Sequence, residues 1–201
     1  MVRATTERGK EGYHHGNLRV ALLASAREML ETQGVGALKL RAITRQVGVS
    51  PMAVAPHFGN LCGLLTALAT QGFEELAHAI KTGKARSLKD AGLAYIYFAI
   101  RNPGLFTLMF RGDAIDRSDP AFAGAAGDSF ALLGSCAGTS GNAAGFAPQI
   151  AEAVMWGKVH GLAILAIDGL LTPLVQATDP HIDLEQFLEQ ALDYMKAAAS
   201  G

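Results

Sequence analysis

The stretch LKLRAITRQVGVSPMAVAPHFGNLCGLL, residues 38–65, decides the fold. Leu40, Ile43 and Val47 recur at helical spacing, and Gly48 can supply the backbone freedom of a sharp turn. Ser50-Pro51 is an N-cap signal followed by proline at the first helical position. The pattern predicts a helix over 39–47, a tight turn, and a second helix over 51–57. In a helix-turn-helix the second helix enters the major groove of DNA, so the pattern points to transcription control. The residues of that helix fit the task poorly. Met52, Ala53, Val54, Ala55 and Pro56 carry no group that forms bidentate bonds to base edges. Pro56 also removes the helical bond to the carbonyl of Met52, at a cost of about 3 kcal/mol, and disfavours helical geometry at Ala55. A short or distorted recognition helix is predicted.

Working outward, charge is unevenly spread. Residues 1–60 hold eight Lys/Arg against four Glu, a net of +4, and the remainder holds nine basic and fourteen acidic residues, a net of −5. A basic head on an acidic body fits nucleic-acid binding by one unit and a different task for the other. Half of the 201 residues are hydrophobic, enough to bury a proper core. Residues 1–12 are polar, and His14 and His15 precede a helix predicted from Asn17 to Gln33 with Leu18, Ala21, Leu22, Ser25, Met29 and Leu30 inward. Cys62 and Cys136 belong to no metal or disulfide spacing, and buried or inert thiols are expected. The N-terminus lacks a hydrophobic signal core, which predicts a cytoplasmic protein.

Together, YHHGNLRVALLASAREMLETQG (13–34) and LKLRAITRQVGVSPMAVAPHF (38–58) resemble the DNA-binding head of the tetracycline-repressor (TetR/AcrR) family of bacterial regulators. The resemblance implies an all-α fold of about nine helices: a helix-turn-helix domain over 1–60 and a ligand-binding and dimerisation domain over 61–201. It also marks departures. Lys39 stands where the family has a capping Ser or Thr, Ala55 where it has a phosphate-contacting Tyr, and Leu61-Cys62 where it has Lys-Glu. If DNA is bound, Arg41, Thr44 and Arg45 are the expected phosphate contacts, with Ser50, Met52, Ala53 and His57 at the bases and much of the preference depending on DNA shape. Phe58 is expected as a core plug between helices.

The body reads as further helices. Residues 60–81 predict a helix with Leu64, Leu65, Leu68, Phe73 and Leu76 buried, in the family the link between head and body. Ser87-x-x-Asp90 is a capping box, Asn102-Pro103 separates a fifth helix from a sixth, and Asp119-Pro120 begins a seventh. Residues 139–146 predict a loop of small residues. Residues 148–171 predict an eighth helix, apolar on nearly every face, with Ala153, Gly157 and Gly161 as a small-residue stripe. Glu152, Lys158, His160 and Asp168 argue against a membrane span. A ninth, amphipathic helix starts near Asp183. The eighth and ninth helices suit a four-helix homodimer interface.

AYIYFAIRNPGLFTLMF (94–110) and MWGKVHGLA (155–163) resemble the C-terminal domain of a TetR-type subgroup marked by Trp-x-x-x-His-Gly. The candidate ligand-binding residues are Phe98, Phe106, Met109, Phe110, Trp156 and His160, suited to a small apolar or aromatic effector; an ordinary core would use the same residue types. His160 has a core alternative, bonded to a neighbouring carbonyl. Neither a nucleophile elbow, a phosphate-binding Gly loop nor metal-ligand spacing is present, so no catalytic residue, metal or cofactor is predicted. Two functions remain open: an operator-binding regulator released by an effector, or a ligand-binding or partner-binding relative whose specific DNA binding is weakened or lost.

Overall fold

The computed structural model describes residues 15–83, 87–137, 147–179 and 181–198. Residues 1–14, including the polar arm and His14, and the expected loop at 139–146 lie outside the described residues. Within them the chain is all-helical: α1 (His15–Gln33), α2 (Leu40–Val47), α3 (Ala55–Phe58), α4 (Leu61–Thr82), α5 (Leu88–Arg101), α6 (Pro103–Met109), α7 (Pro120–Ala137), α8 (Pro148–Ile167), α9 (Thr172–Thr178) and α10 (Leu184–Ala198). Two 3-10 turns, Val35–Ala37 and Pro51–Val54, complete it.

The count exceeds the expected nine because the eighth helix stops at Ile167 and a further short helix, α9, follows before the amphipathic one. Asp168 closes α8, Gly169 takes φ 70°, and Pro173 starts α9 within its first turn. The predicted ninth helix is therefore α10, introduced by a capping box: the Asp183 carboxylate accepts from Gln186 N–H at 2.8 Å while Gln186 accepts from Asp183 N–H at 3.2 Å. The capping box of α5 is present as read, Ser87 with Asp90. Asn60 caps α4 by accepting from Gly63 N–H at 3.0 Å, and Asp119 caps α7 through Ala121 and Phe122. Helix α1 begins at His15, two residues before the start expected at Asn17.

In the head, α2 begins at Lys39 with no side-chain cap, as the departure from the family predicts. Gly48 ends it at φ 78°, a left-handed conformation that few side chains tolerate, and the Val49 N–H closes back onto the Thr44 carbonyl at 2.9 Å. The recognition segment is then a 3-10 turn over Pro51–Val54 followed by a single α turn, and it meets α4 at 56°. Pro56 does not displace Ala55, whose φ and ψ are −55° and −43°. The reason is the 3-10 pitch: Met52 O accepts from Ala55 N–H one residue early, so Pro56, at the start of the α turn, deprives no helical carbonyl of Met52's kind. Gly59 turns the chain at φ 72°, and Gly63 lets α4 press against α3, since a Cβ there would lie 2.0 Å from Phe58 O.

Helix α4 is the common neighbour of α1, α3, α5, α6 and α7. Its Leu64, Leu65, Leu68, Phe73 and Leu76 are buried as expected. Phe73 sits at the centre of the body, edge-on to Phe110 and Phe122 at 5.5 and 5.4 Å. Gly72 admits Met109 so closely that a Cβ would meet its sulfur at 2.7 Å. Cys62 is exposed at the first turn of α4 rather than buried.

Candidate DNA-binding surface and effector cavity

The basic residues expected at phosphates divide. Arg41 and Arg45 are exposed on α2, one turn apart. Thr44 is not available: it is 1% exposed, and its hydroxyl donates to Leu40 O at 3.0 Å within its own helix. It shares the inner face with Ile43, which the short α2 packs onto α1, where Ser25 donates to Ile43 O at 3.4 Å. Ser50 is exposed and Met52 is 80% exposed at the tip, while Ala53 and His57 are half-buried. Phe58 is half-buried against the core, with the Arg19 guanidinium 5.1 Å above its ring. The head therefore exposes two arginines on α2 and an apolar tip of Met52, Ala55 and Pro56.

Of the six candidate ligand residues, four form one aromatic cluster. His160 stacks on Phe106 at 5.4 Å and meets Phe110 edge-on at 4.6 Å; Trp156 lies 5.6 Å from His160 and 6.2 Å from Phe110. Phe98, Phe106 and Met109 are at least 94% buried core residues. At the heart of the cluster is Tyr95, which the list of candidates omits. Its hydroxyl lies 2.9 Å from His160 Nδ1 and accepts from Trp156 Nε1 at 3.3 Å. Tyr95 is fully buried, and burial pushes its pKa far up, so it keeps its proton. The Tyr95 hydroxyl pairs with both His160 and Trp156. The bond to a backbone carbonyl expected for His160 is thus a bond to a phenol. Burial also lowers the His160 pKa, favouring the neutral ring.

The cavity itself lies beside this cluster. A space of about 530 Å³ opens between α7 and α8 and the first residue of α5, within the range of small-molecule sites. Trp156 alone of the six candidates lines it, joined by Phe130, Leu133, Met155, Val159 and Glu152. Phe130 stands edge-on to Trp156 at 4.8 Å and tilted to Phe73 at 6.0 Å. Phe130 and Leu133 are apolar positions of α7, but which wall they form depends on how α8 packs. Among the described residues no group of three or more His, Cys, Asp or Glu is placed to hold a metal ion.

Cluster and head are joined through α6. The Glu31 carboxylate of α1 accepts from Gly104 N–H at 2.9 Å and Leu105 N–H at 3.1 Å, capping the first turn of α6. Arg27 lies 3.2 Å from Glu31, donates to Asn102 Oδ1 at 2.7 Å and reaches Glu75 of α4 at 3.3 Å. Gly104 is needed for this approach, since a Cβ would lie 2.6 Å from Leu30 O.

On the opposite side α8 shows Ile150, Val154, Gly157, Gly161 and Leu165, which fall on one helical face. Ile150 and Val154 are more than half exposed, and a Cβ at Gly157 or Gly161 would meet nothing within 4 Å. The helix is thus buried on one face only, and Ala153 of the expected stripe lines the cavity instead. By length and composition Gln149–Ile167 would suffice to cross a bilayer; its inner face packs against α5.

Comparison with known proteins places these features in one lineage. Residues 22–68 match the profile of bacterial regulatory proteins of the tetR family, and residues 88–195 match the tetracyclin repressor-like C-terminal domain. The chain is 28% identical over 90 residues to YobS, an uncharacterized HTH-type transcriptional regulator of Bacillus subtilis (strain 168); the match covers 42% of this chain and about half, 47%, of that relative. A protein of unknown function from Rhodococcus sp. RHA1 superposes with a TM-score of 0.71 at 28% identity, over 92% of this chain and 96% of that one. NalD of Pseudomonas aeruginosa, the secondary repressor of the MexAB-OprM multidrug efflux pump, shares the fold at 21% identity and a TM-score of 0.58, over 90% and 95%. With its C-terminal profile spanning more than half of its length, the chain belongs to the tetracycline-repressor (TetR) family of bacterial regulatory proteins.

Proposed function

We propose that this protein is a cytoplasmic, dimeric DNA-binding transcriptional repressor of the Trp-x-x-x-His-Gly subgroup, released from its operator by a small effector bound between α7 and α8. Residues 1–60 form the DNA-binding unit and 61–201 the effector and dimerisation unit. The observation that carries this reading is the continuous path from cavity to head. Trp156 is at once a wall of the cavity and a member of the cluster holding Phe106 and Phe110 near α6, and α6 is capped by Glu31 of α1. An effector that binds one setting of Trp156 better than another biases α6, and with it the head.

Two heads must sit about 34–36 Å apart to enter successive major grooves of one duplex. The exposed apolar face of α8, with the exposed Leu170 and Leu174 beyond it, is the surface a second copy would cover. Lys158, exposed on α8 near this face, favours a protein partner over lipid there. Arg41 and Arg45 would meet phosphates, and Met52 and Ala53 would offer thymine methyls apolar contact. Ser50 and His57 supply the polar groups of this surface.

The second reading, a family member whose specific DNA binding is weakened or lost, has its own support: Ala55 and Pro56 are exposed at the tip, and Leu61 packs against the core instead of presenting a cation. A salt-dependent gel shift on genomic fragments separates the two. Sequence-selective binding by the wild type supports the repressor. If binding is non-specific only, and Ala55→Tyr with Leu61→Lys raises affinity sharply, the second reading holds; binding no stronger than non-specific in both proteins sinks the first reading.

A further inference from the structure

We propose that the α7–α8 cavity takes an amphipathic organic cation, an aromatic body carrying one ammonium group, with Glu152 as its counter-charge. The inference rests on the reading of this cavity as the effector site and names the ligand class. Among the described lining residues Glu152 is the one ionisable group. It stands four residues before Trp156, so the carboxylate and the indole lie on the same face of α8. It leans across the cleft toward α7: a Cβ built at Gly134 would lie 3.2 Å from Glu152 Oε1. Gly134 thereby leaves room for the carboxylate at the wall, and no Lys or Arg among the described residues is paired with it.

The rest of the wall suits the body of such a ligand. Phe130 and Trp156 meet at 70° and form an aromatic corner, and Met155, Leu133 and Val159 are apolar. Aromatic faces attract a quaternary or primary ammonium group through their quadrupole. A neutral ligand covering Glu152 strips water from a carboxylate without offering a charge in return, and an anion is repelled. The net −5 of residues 61–201 draws cations toward this part of the chain.

The chain has a single tryptophan, at the cavity wall, so its fluorescence reports occupancy directly. Three probes of matched body separate the terms: (naphthylmethyl)trimethylammonium, its uncharged carbon isostere neopentylnaphthalene, and naphthylacetate. In the full chain the ammonium is expected to bind at least about tenfold more tightly than the neutral isostere, with a preference that shrinks as salt rises. Glu152→Gln, at an exposed position, should keep the unfolding midpoint, bring the two affinities within about twofold and leave the neutral compound bound. Ala131→Leu, which fills part of the cavity from α7 and keeps Trp156 as the single tryptophan, should weaken both. Equal affinity for ammonium and isostere in the wild type, or a preference that survives Glu152→Gln, overturns the cation while leaving the cavity reading intact. If none of the three binds, the cavity reading fails and the cation falls with it.

Discussion

Replacing Glu31 by Ala should detach the head from α6, and the structure sets the size of the effect. The side chain accepts two backbone N–H groups, from Gly104 and Leu105, that have no partner within their own helix. Hydrogen bonds to a charged acceptor contribute about 1.5–3 kcal/mol each when shielded, and a carboxylate at a helix N-terminus adds about 0.3–1 kcal/mol. Glu31 is 25% exposed, so water partly replaces it and the sum must be discounted. Arg27 keeps Asn102 and Glu75, so no charge is stranded. A net loss of about 2 kcal/mol follows, which in a chain of this size lowers the melting temperature by roughly 4–8 °C. Glu31→Gln keeps one acceptor and should lose about half as much. Thermal and urea unfolding at matched protein concentration measure both variants. A Glu31→Ala protein within about 0.5 kcal/mol of wild type, or Gln no better than Ala, would refute the latch.

Other consequences are as direct. Gly63→Ala should destabilise by about 3 kcal/mol or more, because its Cβ meets the Phe58 carbonyl at 2.0 Å, whereas Gly124→Ala on α7, with nothing within 4 Å, should be neutral or stabilising by up to about 1 kcal/mol; urea unfolding tests both. His160 has a folded pKa below its ordinary 6.5, so its neutral form contributes stability that is complete above pH 6.5 and is lost as pH falls through the lowered value. The acid side of a plot of melting temperature against pH should therefore be shallower in His160→Gln, and identical slopes would remove His160 from the account. Val154→Glu, in the middle of the exposed α8 face, should convert a dimer to monomer in light scattering, with helical content unchanged.

Much of the head was legible because its signals are local. Leu40, Ile43, Val47, Gly48, Ser50 and Pro51 lie within twelve residues and act on their own turns. Thr44 was misread because in an eight-residue helix one side chain more or less decides which face is inner, and its neighbour Ile43 is buried as well. Pro56 predicted distortion correctly, but not that a 3-10 turn would absorb it with Ala55 still helical. Trp156 and His160 were legible as a four-residue pair. Tyr95 and Phe130, which complete their surroundings, reach them from other helices, and periodicity carries no information about that distance. Glu31 gave no signal: it reads as one more charged helical residue until residues 104 and 105 are placed beside it, seventy-three positions later. The cavity is likewise a property of how α7 meets α8, with none of its walls unusual in composition.

The exposed thiol of Cys62 offers a ruler. It stands at the first turn of α4, next to the recognition segment, so a spin label there follows the head end of α4. In a symmetric pair of chains, with Cys136 replaced by Ser, two such labels give a single separation. Its shift on adding a ligand would turn the spacing of the heads into a measured length.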